Sequence, residues 1–528
     1  APLASDAAAD LFLRRARASN PALAVGDDEL AVVEAICERL DRLPLAIELA
    51  AVWAKVLPLQ ALLEQLAHSL ERLTGGRRDA PDRQRTLRDA IEWSERLLGE
   101  DEQRLFHRLA IFSGGFTTEA VVAICGETAE NGHVLDVLAN LVEQALLQSE
   151  TQHDGQGDVR FWMLETIREY ALERLRASGE MEELARRHAD YYAKLVREQP
   201  WGGADQVSRD RRIEREMPNV RVTLEWARLH GASGMGLGLA TALGLFWYSC
   251  GAFDEGERWL NEFLALDAAS AVQSPERLRV MALYFLTLYA LDRHDFDRGE
   301  ALAREGLELA RKQGDASGAG NMLTELGHVA EARGDREGAM ALYEKGLAQY
   351  RAGGNFGSVG RVLSSLGNVA RALGDYERAR RYLEESLAWA RERHFSWAIA
   401  SGLVSLGHLA CEQEDFARAR RLYREGLEMY RTMRNPTALA WCLNGVAVVL
   451  AAGGRYERVA RMCGAIEHLY QMADAAPEAE WPAFTRACAS ARQALGDDGF
   501  DVARAAGAAL SPEQIIGYAL ASVDGDEG

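Results

Sequence analysis

The sequence predicts a mainly α-helical protein composed of several units, and three observations lead to this prediction. A motif recurs at intervals of 40 residues in the second half of the chain. Apolar residues are spaced three and four positions apart, which is the period of an amphipathic helix. Proline is scarce, with 12 in 528 residues, while 48% of residues are apolar and 27% are charged. A chain of this length exceeds one hydrophobic core, so we expect three or more units.

Three copies of the repeat align without gaps. They read LGHVAEARGDREGAMALYEKGLAQY from Leu326, LGNVARALGDYERARRYLEESLAWA from Leu366 and LGHLACEQEDFARARRLYREGLEMY from Leu406. Glycine, aspartate and alanine each recur at one phase: Gly327, Gly367 and Gly407; Asp335, Asp375 and Asp415; Ala339, Ala379 and Ala419. Weaker copies lie 40 residues earlier, with Asp295 and Phe296, and 40 later, with Tyr456; Phe253 matches Phe296 at an offset of 43. Such a repeat indicates stacked supersecondary units.

Each repeat reads as a hairpin of two helices. The first helix carries Leu363, Leu366 and Ala370, the Gly-Asp pair makes the turn, and the second helix carries Leu383 and Leu387. Glycine inside a helix costs roughly 1 kcal/mol relative to alanine, so its return in the first helix needs a reason. We expect close approach of the paired helices there, because a Cβ would separate them. The pattern resembles the tetratricopeptide repeat, whose usual period is about 34 residues; the additional residues would lengthen the helices and the inter-repeat turn.

The tetratricopeptide resemblance implies that the first helices line a concave groove. The residues it places there are Thr324, His328, Glu331, Ser364, Asn368, Arg371 and His408. An asparagine at this phase resembles those with which peptide-binding members hold a ligand backbone. The alternative is that these are solvated groove residues without a partner. A metal at the histidines would need a carboxylate or thiol nearby, such as that of Cys411, and we predict no metal site.

The sequence of the N-terminal third predicts shorter helices and one β-hairpin. Residues 29–52 form an apolar-periodic helix that breaks at Leu43-Pro44, where proline suits a new helix start. Between residues 83 and 125, two amphipathic helices are followed by a break at Gly114-Gly115 and a third helix capped by Thr117 or Thr118. The first two carry Trp93, Leu97 and Leu98, and Leu105, Phe106, Leu109 and Phe112, respectively. A helix over 132–146 and strands at 145–148 and 160–164 follow, which together describe a winged helix.

Five stretches are similar, in this order, to the STAND class of signal-transduction NTPases, and especially to bacterial regulators that join an NB-ARC-type ATPase to tetratricopeptide repeats. They are DRLPLAIELAA, RQRTLRDAIEWSERLL, LAIFSGGFTTEAV, MLETIREYALERL and NVRVTLEWA. In that class a G-L-P-L turn approaches the adenine, and this chain has Arg42-Leu43-Pro44-Leu45. The resemblance therefore implies that Pro44 contacts the base. The alternative is a helix-starting proline that packs locally.

The phosphate-binding elements of that class do not occur in this sequence. No G-x-x-x-x-G-K-[ST] motif occurs, and no Walker B run of apolar residues ending in Asp-Asp precedes the helical domain. The glycine-rich stretch 231–238 reads as an interhelix turn. Many relatives place Met-His-Asp at the end of the winged helix, with the histidine on a nucleotide phosphate. The matching residues are Met163, Leu164 and Glu165, and leucine has no donor. We expect the chain to begin downstream of an ATPase core.

The resulting prediction is a mainly α fold, with a helical domain plus winged helix followed by a right-handed tetratricopeptide-repeat superhelix. The predicted ranges are 1–80 for a helical domain of NB-ARC type, 81–180 for the winged helix, 181–240 for a helical linker or repeat cap, 241–470 for repeats, and 471–528 for a C-terminal helical cap and acidic tail. We expect no membrane span, because no run of 18 uncharged apolar residues occurs, and no signal peptide, because residues from Ala1 show neither a basic n-region nor an apolar h-region. Its seven cysteines form no C-x-x-C motif, which favours a reducing cytoplasm.

Charge argues against direct nucleic-acid binding. The net charge is −20, and the local basic clusters lie beside acidic residues. The candidate recognition helix, 132–146, contains His133, Asp136 and Glu143 but neither lysine nor arginine. The alternative of DNA binding by the winged helix is therefore disfavoured. An enzyme is disfavoured as well, because no motif joins a nucleophile, a base and an orienting group.

Two functions remain from these observations. The first is the regulatory sensor portion of a STAND-type ATPase or transcriptional regulator, as in large LuxR-type regulators. It would bind a protein, a peptide or a small-molecule inducer on the groove and control an upstream switch. The second is a stand-alone tetratricopeptide scaffold for protein complexes. Neither predicts a catalytic residue or cofactor in this chain, and ATP or ADP would bind only with an upstream P-loop domain.

Overall fold

The computed structural model divides the chain into two compact units, of residues 1–199 with 211–239 and of residues 200–210 with 240–528. The residues it describes are 5–19, 26–40, 42, 44, 47, 50, 51, 54, 57–66, 87–96, 98–126, 133–144, 146–151, 159–198, 206–354, 358–431, 433, 435–473 and 481–524. In this part of the chain, no helix is both long and apolar enough to cross a membrane. The side chains of Trp93 and His133, and residue Leu97, lie outside the described set.

Short helices and one small sheet form the N-terminal part of the chain. The elements are α1 (Ser5–Ser19), α2 (Asp27–Arg39), α3 (Leu59–Leu66), α4 (Leu87–Arg96), α5 (Glu100–Leu109), β1 (Phe116–Thr117), α6 (Thr118–Cys125), α7 (His133–Glu143), β2 (Gln148–Thr151), β3 (Val159–Trp162), α8 (Glu165–Ser178) and α9 (Met181–Arg197). The longer helices α10 (Gln206–Leu229) and α11 (Ser233–Ser249) follow. A helix that ends at Arg39 agrees with the predicted break before Pro44.

The winged helix predicted from sequence is confirmed, with one strand more than expected. Strands β2 and β3 form the antiparallel hairpin, in which Gln148 is paired with Trp162. The extra strand is β1, whose Phe116 pairs with Phe161, so the strand order is β1-β3-β2. Two residues are too short for a period-2 pattern, which explains why the sequence did not reveal β1. Thr117 caps α6, since its hydroxyl accepts a 3.2 Å hydrogen bond from the Ala120 amide.

Paired helices occupy the second half of the chain, as the 40-residue repeat predicted. They are α12 (Phe253–Ala269), α13 (Glu276–Asp292), α14 (Phe296–Gln313), α15 (Ala316–Ala332), α16 (Arg336–Ala352), α17 (Val359–Ala372), α18 (Tyr376–Glu392), α19 (Ser396–Glu412), α20 (Phe416–Tyr430), α21 (Pro436–Ala452) and α22 (Tyr456–Met472). The second helices α14, α16, α18, α20 and α22 start 40 residues apart. Two C-terminal helices, α23 (Pro482–Ala508) and α24 (Pro512–Asp524), pack against the last hairpins.

The repeated aspartates cap the second helices. Asp295, Asp335, Asp375 and Asp415 each accept a hydrogen bond from the backbone amide three residues later. The residue before the cap has a left-handed backbone, with φ of 83° at Gly334 and 80° at Gly374. In two copies a residue with a side chain takes this conformation: His294 has φ of 61° and Glu414 has φ of 59°. These copies carry backbone strain that glycine relieves in the others.

The glycines of the first helices lie where the paired helix comes closest. A Cβ on Gly327 would lie 2.4 Å from the Tyr343 ring, and one on Gly407 would lie 2.5 Å from the Tyr423 ring. On Gly367 it would lie 2.5 Å from Leu383. The close approach expected from the sequence is therefore confirmed. The large buried side chain of the second helix fills the space that each glycine leaves.

Candidate functional site

Polar side chains connect the first helices of three consecutive hairpins. Arg361 of α17 donates from Nη1 to Oε1 of Glu325 on α15, at 2.9 Å, and its Nη2 lies 3.4 Å from the Tyr284 hydroxyl on α13. His328 Nδ1 lies 2.9 Å from the second carboxylate oxygen of Glu325. We call Tyr284, Glu325, His328 and Arg361 the first-helix cluster. Its members come from positions up to 77 residues apart, so α13, α15 and α17 lie side by side.

Glu325 is the buried centre of the first-helix cluster. Its side chain is 1% exposed, whereas those of His328 and Arg361 remain about one-third exposed. Burial alone would raise the pKa of Glu325, but the charges and hydrogen bonds of Arg361 and His328 hold its pKa at about 2. The cluster thus combines an internal carboxylate with a guanidinium and an imidazole that keep part of their surface open. Those two groups are the ones a ligand on this face would meet.

Two of the predicted groove residues join this face. His328 belongs to the first-helix cluster, and its Nε2 lies 3.4 Å from the Ser365 hydroxyl. Glu331, one turn later, is half-buried and accepts a 2.8 Å hydrogen bond from the Tyr343 hydroxyl. The Tyr343 ring also packs edge-on against His328. Sequence reasoning missed Arg361 and Glu325 because each lies at a phase that the repeat consensus does not mark. Tyr284 lies at the phase of Thr324 and Ser364, but its copy of the repeat is one of the weaker ones, and the prediction used only the three clear copies.

The remaining predicted residues of α15 and α17 differ in exposure. Thr324 is fully buried and donates to the Gly320 carbonyl of its own helix at 2.8 Å, so its prediction as a groove contact is wrong. Ser364 is half-buried, with its hydroxyl 3.0 Å from that of Ser386 on the paired helix α18. Asn368 is half-buried on α17. Because the Ser364 hydroxyl is engaged with the paired helix, Asn368, one turn later, is the residue of this pair that stays a candidate contact.

Arg371 and His408, the last two of the predicted groove residues, are covered by other parts of the protein. Arg371 forms an ion pair with Glu412 of α19, and only 11% of its side chain is exposed. The indole N–H of Trp481, just before α23, donates to the same carboxylate at 2.9 Å. The Trp481 ring is buried and packs edge-on against His408, with ring centres 4.3 Å apart. We call Arg371, His408, Glu412 and Trp481 the tryptophan-capped end.

His408 is consequently not available to a ligand. It is 1% exposed and also contacts the rings of Tyr423 and Trp441. Burial, together with the nearby positive charge of Arg371, holds its pKa well below the ordinary value for histidine. The prediction of His408 as a groove contact is therefore wrong, and Arg371 is engaged within the protein. The helical period placed both on the correct helices but could not reveal that a distant segment covers them.

The surroundings of the repeat histidines bear on the predicted absence of a metal site. Across the described ranges, no group of three or more His, Cys, Asp and Glu side chains is placed to hold a metal ion. Cys411, the thiol nearest to His408 in sequence, is buried, and its Sγ lies 3.6 Å from the Tyr423 hydroxyl. Burial raises the pKa of this thiol to about 11, which disfavours the thiolate that a metal would need.

In the first unit, a buried asparagine joins two of the family-like stretches. Asn219, which opens NVRVTLEWA, accepts a 2.7 Å hydrogen bond from the Ser113 amide and donates to the Gly115 carbonyl at 2.8 Å. Gly114 between them has φ of 85°, and a Cβ there would lie 3.0 Å from Pro218. The start of NVRVTLEWA therefore packs on the SGG turn of LAIFSGGFTTEAV. The order of the stretches in sequence did not predict this contact.

A second ion pair fixes the same turn. Arg160 of β3 pairs with Glu216 of α10 and also donates to the Gly115 carbonyl at 2.9 Å. The Arg160 and Glu216 side chains are 15% and 9% exposed, so the pair is largely removed from water. Strand β3, the SGG turn and α10 thus share one hydrogen-bond network. This network anchors the wing of the winged helix within its unit.

The residues that resemble nucleotide contacts offer little for a phosphate. Leu164 precedes α8 as its N-cap, has an extended backbone and makes no side-chain capping bond. Glu165 is paired with Arg168 at 2.7 Å, and this hydrogen bond lowers the pKa of Glu165. Pro44 is half-buried in a helical segment. These residues do not fit a nucleotide phosphate, and an adenine contact by Pro44 stays a prediction.

The candidate recognition helix presents an acidic and apolar surface. Val134, Val137, Leu138 and Leu141 of α7 are buried in the winged helix. The described exposed residues of α7 are Leu135, Asp136 and Ala139, and Asn140 is bonded to Glu102 at 2.9 Å. Phosphate contacts from DNA-binding helices normally come from lysine, arginine or neutral amides. The described face of α7 provides no such cation.

Comparison with known families agrees with both modules. Residues 98–176 match the family described as a winged helix-turn-helix domain, and residues 358–432 match the tetratricopeptide repeat. The chain carries a winged helix and a tetratricopeptide array. The two matched stretches lie inside the ranges 81–180 and 241–470 predicted for these modules.

Known proteins with similar sequences come from mycobacteria. A protein of Mycobacterium tuberculosis named "Putative HTH-type transcriptional regulator" is 36% identical over 329 residues, which are 61% of this chain and 37% of that protein. An uncharacterized protein of the same species is 35% identical over 183 residues, which are 34% of this chain and 46% of that protein. The chain thus spans less than half the length of these curated relatives.

A solved structure shares the fold of nearly the whole chain. The STAND protein with a tetratricopeptide repeat sensor from Pyrococcus horikoshii matches 96% of this chain and 72% of its own, with a TM-score of 0.50 and 15% identity. At this identity the match shows the fold alone. The resemblance to STAND proteins with tetratricopeptide sensors is confirmed at that level, as is the predicted fold class.

Proposed function

We propose that this chain is the regulatory sensor portion of a STAND-type signal-transduction protein that controls transcription from the cytoplasm. The observation that carries the proposal is the combination of a winged helix and a repeat array in a fold that matches a STAND protein over 96% of this chain. The mycobacterial relatives with regulator names support a transcriptional output. In this proposal the NB-ARC-type ATPase switch and the output module lie upstream of this segment.

The signal would bind at the first-helix cluster. Tyr284, His328 and Arg361 are each half-buried there, and Asn368 lies two turns beyond Arg361 on α17. A guanidinium, an imidazole, a phenol and an amide together donate to carboxylates and to backbone carbonyls. That combination favours a protein or peptide ligand, with a small-molecule inducer as the other candidate. The tryptophan-capped end confines the ligand to the α13–α17 part of the array.

A ligand at this place would act by selecting one shape of the array. Each hairpin of a repeat protein contacts mainly its neighbours, so small changes at each contact add up to a change in curvature. A ligand that spans α13, α15 and α17 would favour the curvature in which all three contacts form. It shifts the equilibrium only by the difference between its affinities for the two states. The proposed upstream ATPase switch would respond to the resulting shift between the two curvatures of the array.

The other modules have supporting parts in this proposal. The winged helix would act as an internal regulatory module, because the described surface of α7 carries Leu135, Asp136 and Ala139 and the whole chain has a net charge of −20. We propose neither direct nucleic-acid contact nor catalysis by this chain. Hydrolysis of ATP would require the P-loop motif, which this sequence lacks.

Partner capture tests the ligand surface. The chain, with an affinity tag, is used to recover ligands from extracts of its source cells, and the double variant His328→Ala with Asn368→Ala is compared with it. We expect recovery to fall on the order of tenfold, since each 1.4 kcal/mol of lost binding free energy gives one decade in affinity. The matched control is Arg391→Ala with Glu425→Ala, which removes an exposed ion pair between α18 and α20.

Circular dichroism shows whether each variant retains its helices. We call the double variant His328→Ala with Asn368→Ala the groove variant. If the folded groove variant recovers as much ligand as the original chain, the proposal that the ligand binds this surface is refuted. The alternative function, a stand-alone scaffold, is separated by a reporter gene in cells that carry the complete coding sequence. A sensor requires that the groove variant changes transcription of the reporter. A scaffold predicts loss of partners with unchanged transcription.

A further inference from the structure

Two thiols from different helices are in contact at the C-terminal end of the array. Cys463 Sγ of α22 lies 2.8 Å from Cys488 Sγ of α23. Cys463 is 6% exposed, while Cys488 is half-buried. The two residues are 25 positions apart, and the interhelix segment 474–480 between them lies outside the described residues. A covalent S–S bond is about 2.05 Å long, so a small adjustment brings the sulfurs to bonding distance.

The helices that carry these thiols are held in close contact. A Cβ on Gly464, next to Cys463, would lie 1.9 Å from the Arg504 carbonyl oxygen. A Cβ on Gly507 would lie 1.9 Å from the Arg461 carbonyl oxygen. The backbone of α22 therefore touches the part of α23 that follows Gly496, where the chain leaves the helical conformation with φ of 70°. The part before Gly496, which carries Cys488, packs into the same hydrophobic core through Ala487 and Ala491. The contact between the two sulfurs joins this first part of α23 to α22.

The two thiols differ in exposure and in the direction of their pKa shifts. The hydrogen bond from Cys463 lowers the pKa of Cys488, and Arg492 acts in the same direction. The same hydrogen bond, together with burial, raises the pKa of Cys463. Cys488 is also the more exposed of the two. In thiol–disulfide exchange, the thiolate of an accessible cysteine attacks first and forms a mixed disulfide. A second thiol beside it then displaces the bound reagent and completes the disulfide.

We propose that Cys463 and Cys488 are a redox modification site, which a low-molecular-weight disulfide such as oxidised glutathione converts to an intramolecular disulfide. The Cys488 thiolate attacks one sulfur of the reagent, forms a mixed disulfide and releases one thiolate. Cys463 then loses its proton and attacks the Cys488 sulfur, which releases the second thiolate. Two protein thiols are oxidised and one disulfide reagent is reduced to two thiols. A reducing thiol pool reverses the reaction.

The disulfide would fix the tryptophan-capped end. Trp481 lies two helical turns before Cys488, at the start of the same helix. It covers His408 and donates to Glu412, which is the ion-pair partner of Arg371. A covalent bond to α22 restrains the first turns of α23, and with them the Trp481 ring on the first helices. Oxidation would therefore hold this end of the array closed, whether or not the proposed sensor function is correct.

Thiol mapping of the whole chain tests the site. The reduced protein is equilibrated with oxidised glutathione, blocked with N-ethylmaleimide and digested for mass spectrometry. We expect a cross-linked peptide pair that contains Cys463 and Cys488, and neither of these thiols should carry the blocking group. In the original chain the exposed Cys250 shows whether the reagent has reached the protein. A parallel sample of Cys250→Ser shows that the cross-link does not depend on links between chains through Cys250.

Single variants separate the two roles. Cys463→Ser should accumulate glutathione on Cys488, because the resolving thiol is gone, and Cys488→Ser should yield no cross-link. Persistent glutathione on Cys488 in the original chain would overturn the proposal. So would two unmodified thiols in a sample whose Cys250 has reacted. Serine is close in size to cysteine, and circular dichroism verifies that both variants fold.

Hydrogen exchange tests the effect on Trp481. The amides of residues 481–488 should exchange on the order of tenfold more slowly in the oxidised chain than in the reduced chain, because local opening of α23 is suppressed. Cys463→Ser treated with the same reagent should show no slowing. Equal exchange in the oxidised and reduced original chain would refute the restraint on Trp481, while the thiol mapping decides the disulfide separately.

Discussion

At the scale of single residues, the polar groups of the first helices are largely engaged within the protein. Glu325 accepts from Arg361 and His328, Glu331 accepts from Tyr343, and Glu412 accepts from Trp481. A buried carboxylate is stable in such a place only when cations or donors satisfy it. Charge at these positions therefore organises the array first, and the exposed parts of the same groups are what a ligand would meet.

The buried carboxylate predicts how stability depends on pH. The folded-state pKa of Glu325 is about 2, below its ordinary value of 4.5, so the unfolded chain binds the proton more readily. The stabilisation is complete above pH 4.5 and is lost as the pH falls toward 2. Glu325→Gln should lower the free energy of unfolding by roughly 3 kcal/mol at neutral pH, because it leaves Arg361 without its partner.

Urea titrations of both proteins at several pH values measure this difference. The gap between them should narrow between pH 4.5 and pH 2. The conservative control is Glu425→Gln, at an exposed ion pair with Arg391, which should change little across the range. A constant gap would mean that Glu325 is not held ionised in the folded chain.

Backbone strain before one cap predicts a stabilising substitution. Glu414 has φ of 59° at the phase where Gly374 has φ of 80°. Glu414→Gly should raise the free energy of unfolding by about 1 kcal/mol, since left-handed backbone costs a residue with a Cβ about 1–2 kcal/mol. The reciprocal control is Gly374→Glu, where a Cβ meets nothing within 4 Å and only the φ strain acts. Thermal denaturation should shift in opposite directions, and shifts of the same sign would contradict this account.

At the scale of elements, helix ends and close contacts recur with the repeat. In the hairpins α15–α16, α17–α18 and α19–α20, the aspartate cap, the left-handed residue before it and the glycine of the first helix lie at fixed positions. The exposed ion pairs between successive second helices also recur, for example Arg378 with Glu344 and Arg418 with Glu384. Such exposed pairs contribute little individually. The caps and buried contacts therefore determine how the hairpins stack.

The contact between α10 and the SGG turn predicts the cost of losing one asparagine. Asn219 is fully buried and satisfies both the Ser113 amide and the Gly115 carbonyl. Asn219→Ala should lower the free energy of unfolding of the first unit by roughly 2–3 kcal/mol, because buried polar groups lose their partners. Asn140→Ala, which removes one part-buried bond to Glu102, is the control and should cost at most about 1 kcal/mol. Hydrogen exchange at residues 113–116 measures the loss, and equal protection in both variants would contradict it.

At the scale of the whole molecule, the chain combines a winged helix and a repeat array in a fold that resembles a STAND protein with a tetratricopeptide sensor. The winged helix and the repeat array are each recognised by their own family, and one solved fold covers nearly all of the chain. The phosphate-binding motif does not occur in the sequence, and Leu164 has no donor for phosphate. The proposed switch therefore depends on groups that this segment does not provide.

This arrangement predicts how the chain responds to nucleotide. A ligand present at 100 times its dissociation constant stabilises a protein by about 2.7 kcal/mol, which thermal denaturation readily detects. We expect ATP and ADP to leave the melting temperature of this chain unchanged. A melting temperature that rises with nucleotide concentration, and stops rising in Pro44→Ala, would show instead that the adenine contact exists in this segment.

The sequence by itself determined the helical class, the 40-residue period, the Gly-Asp turns and the glycine contacts, because each depends on residues within one or two neighbouring helices. It also indicated the winged helix, although the two residues of β1 were too few to form a pattern. Only the tertiary structure decided which polar residues are accessible. Trp481 covers His408, and Asn219 reaches Ser113 from over 100 positions away. Contacts between residues so distant in sequence leave no periodic signal, which is why the sequence placed the buried His408 among the predicted groove residues. His328 keeps about one-third of its side chain exposed and stays a predicted contact.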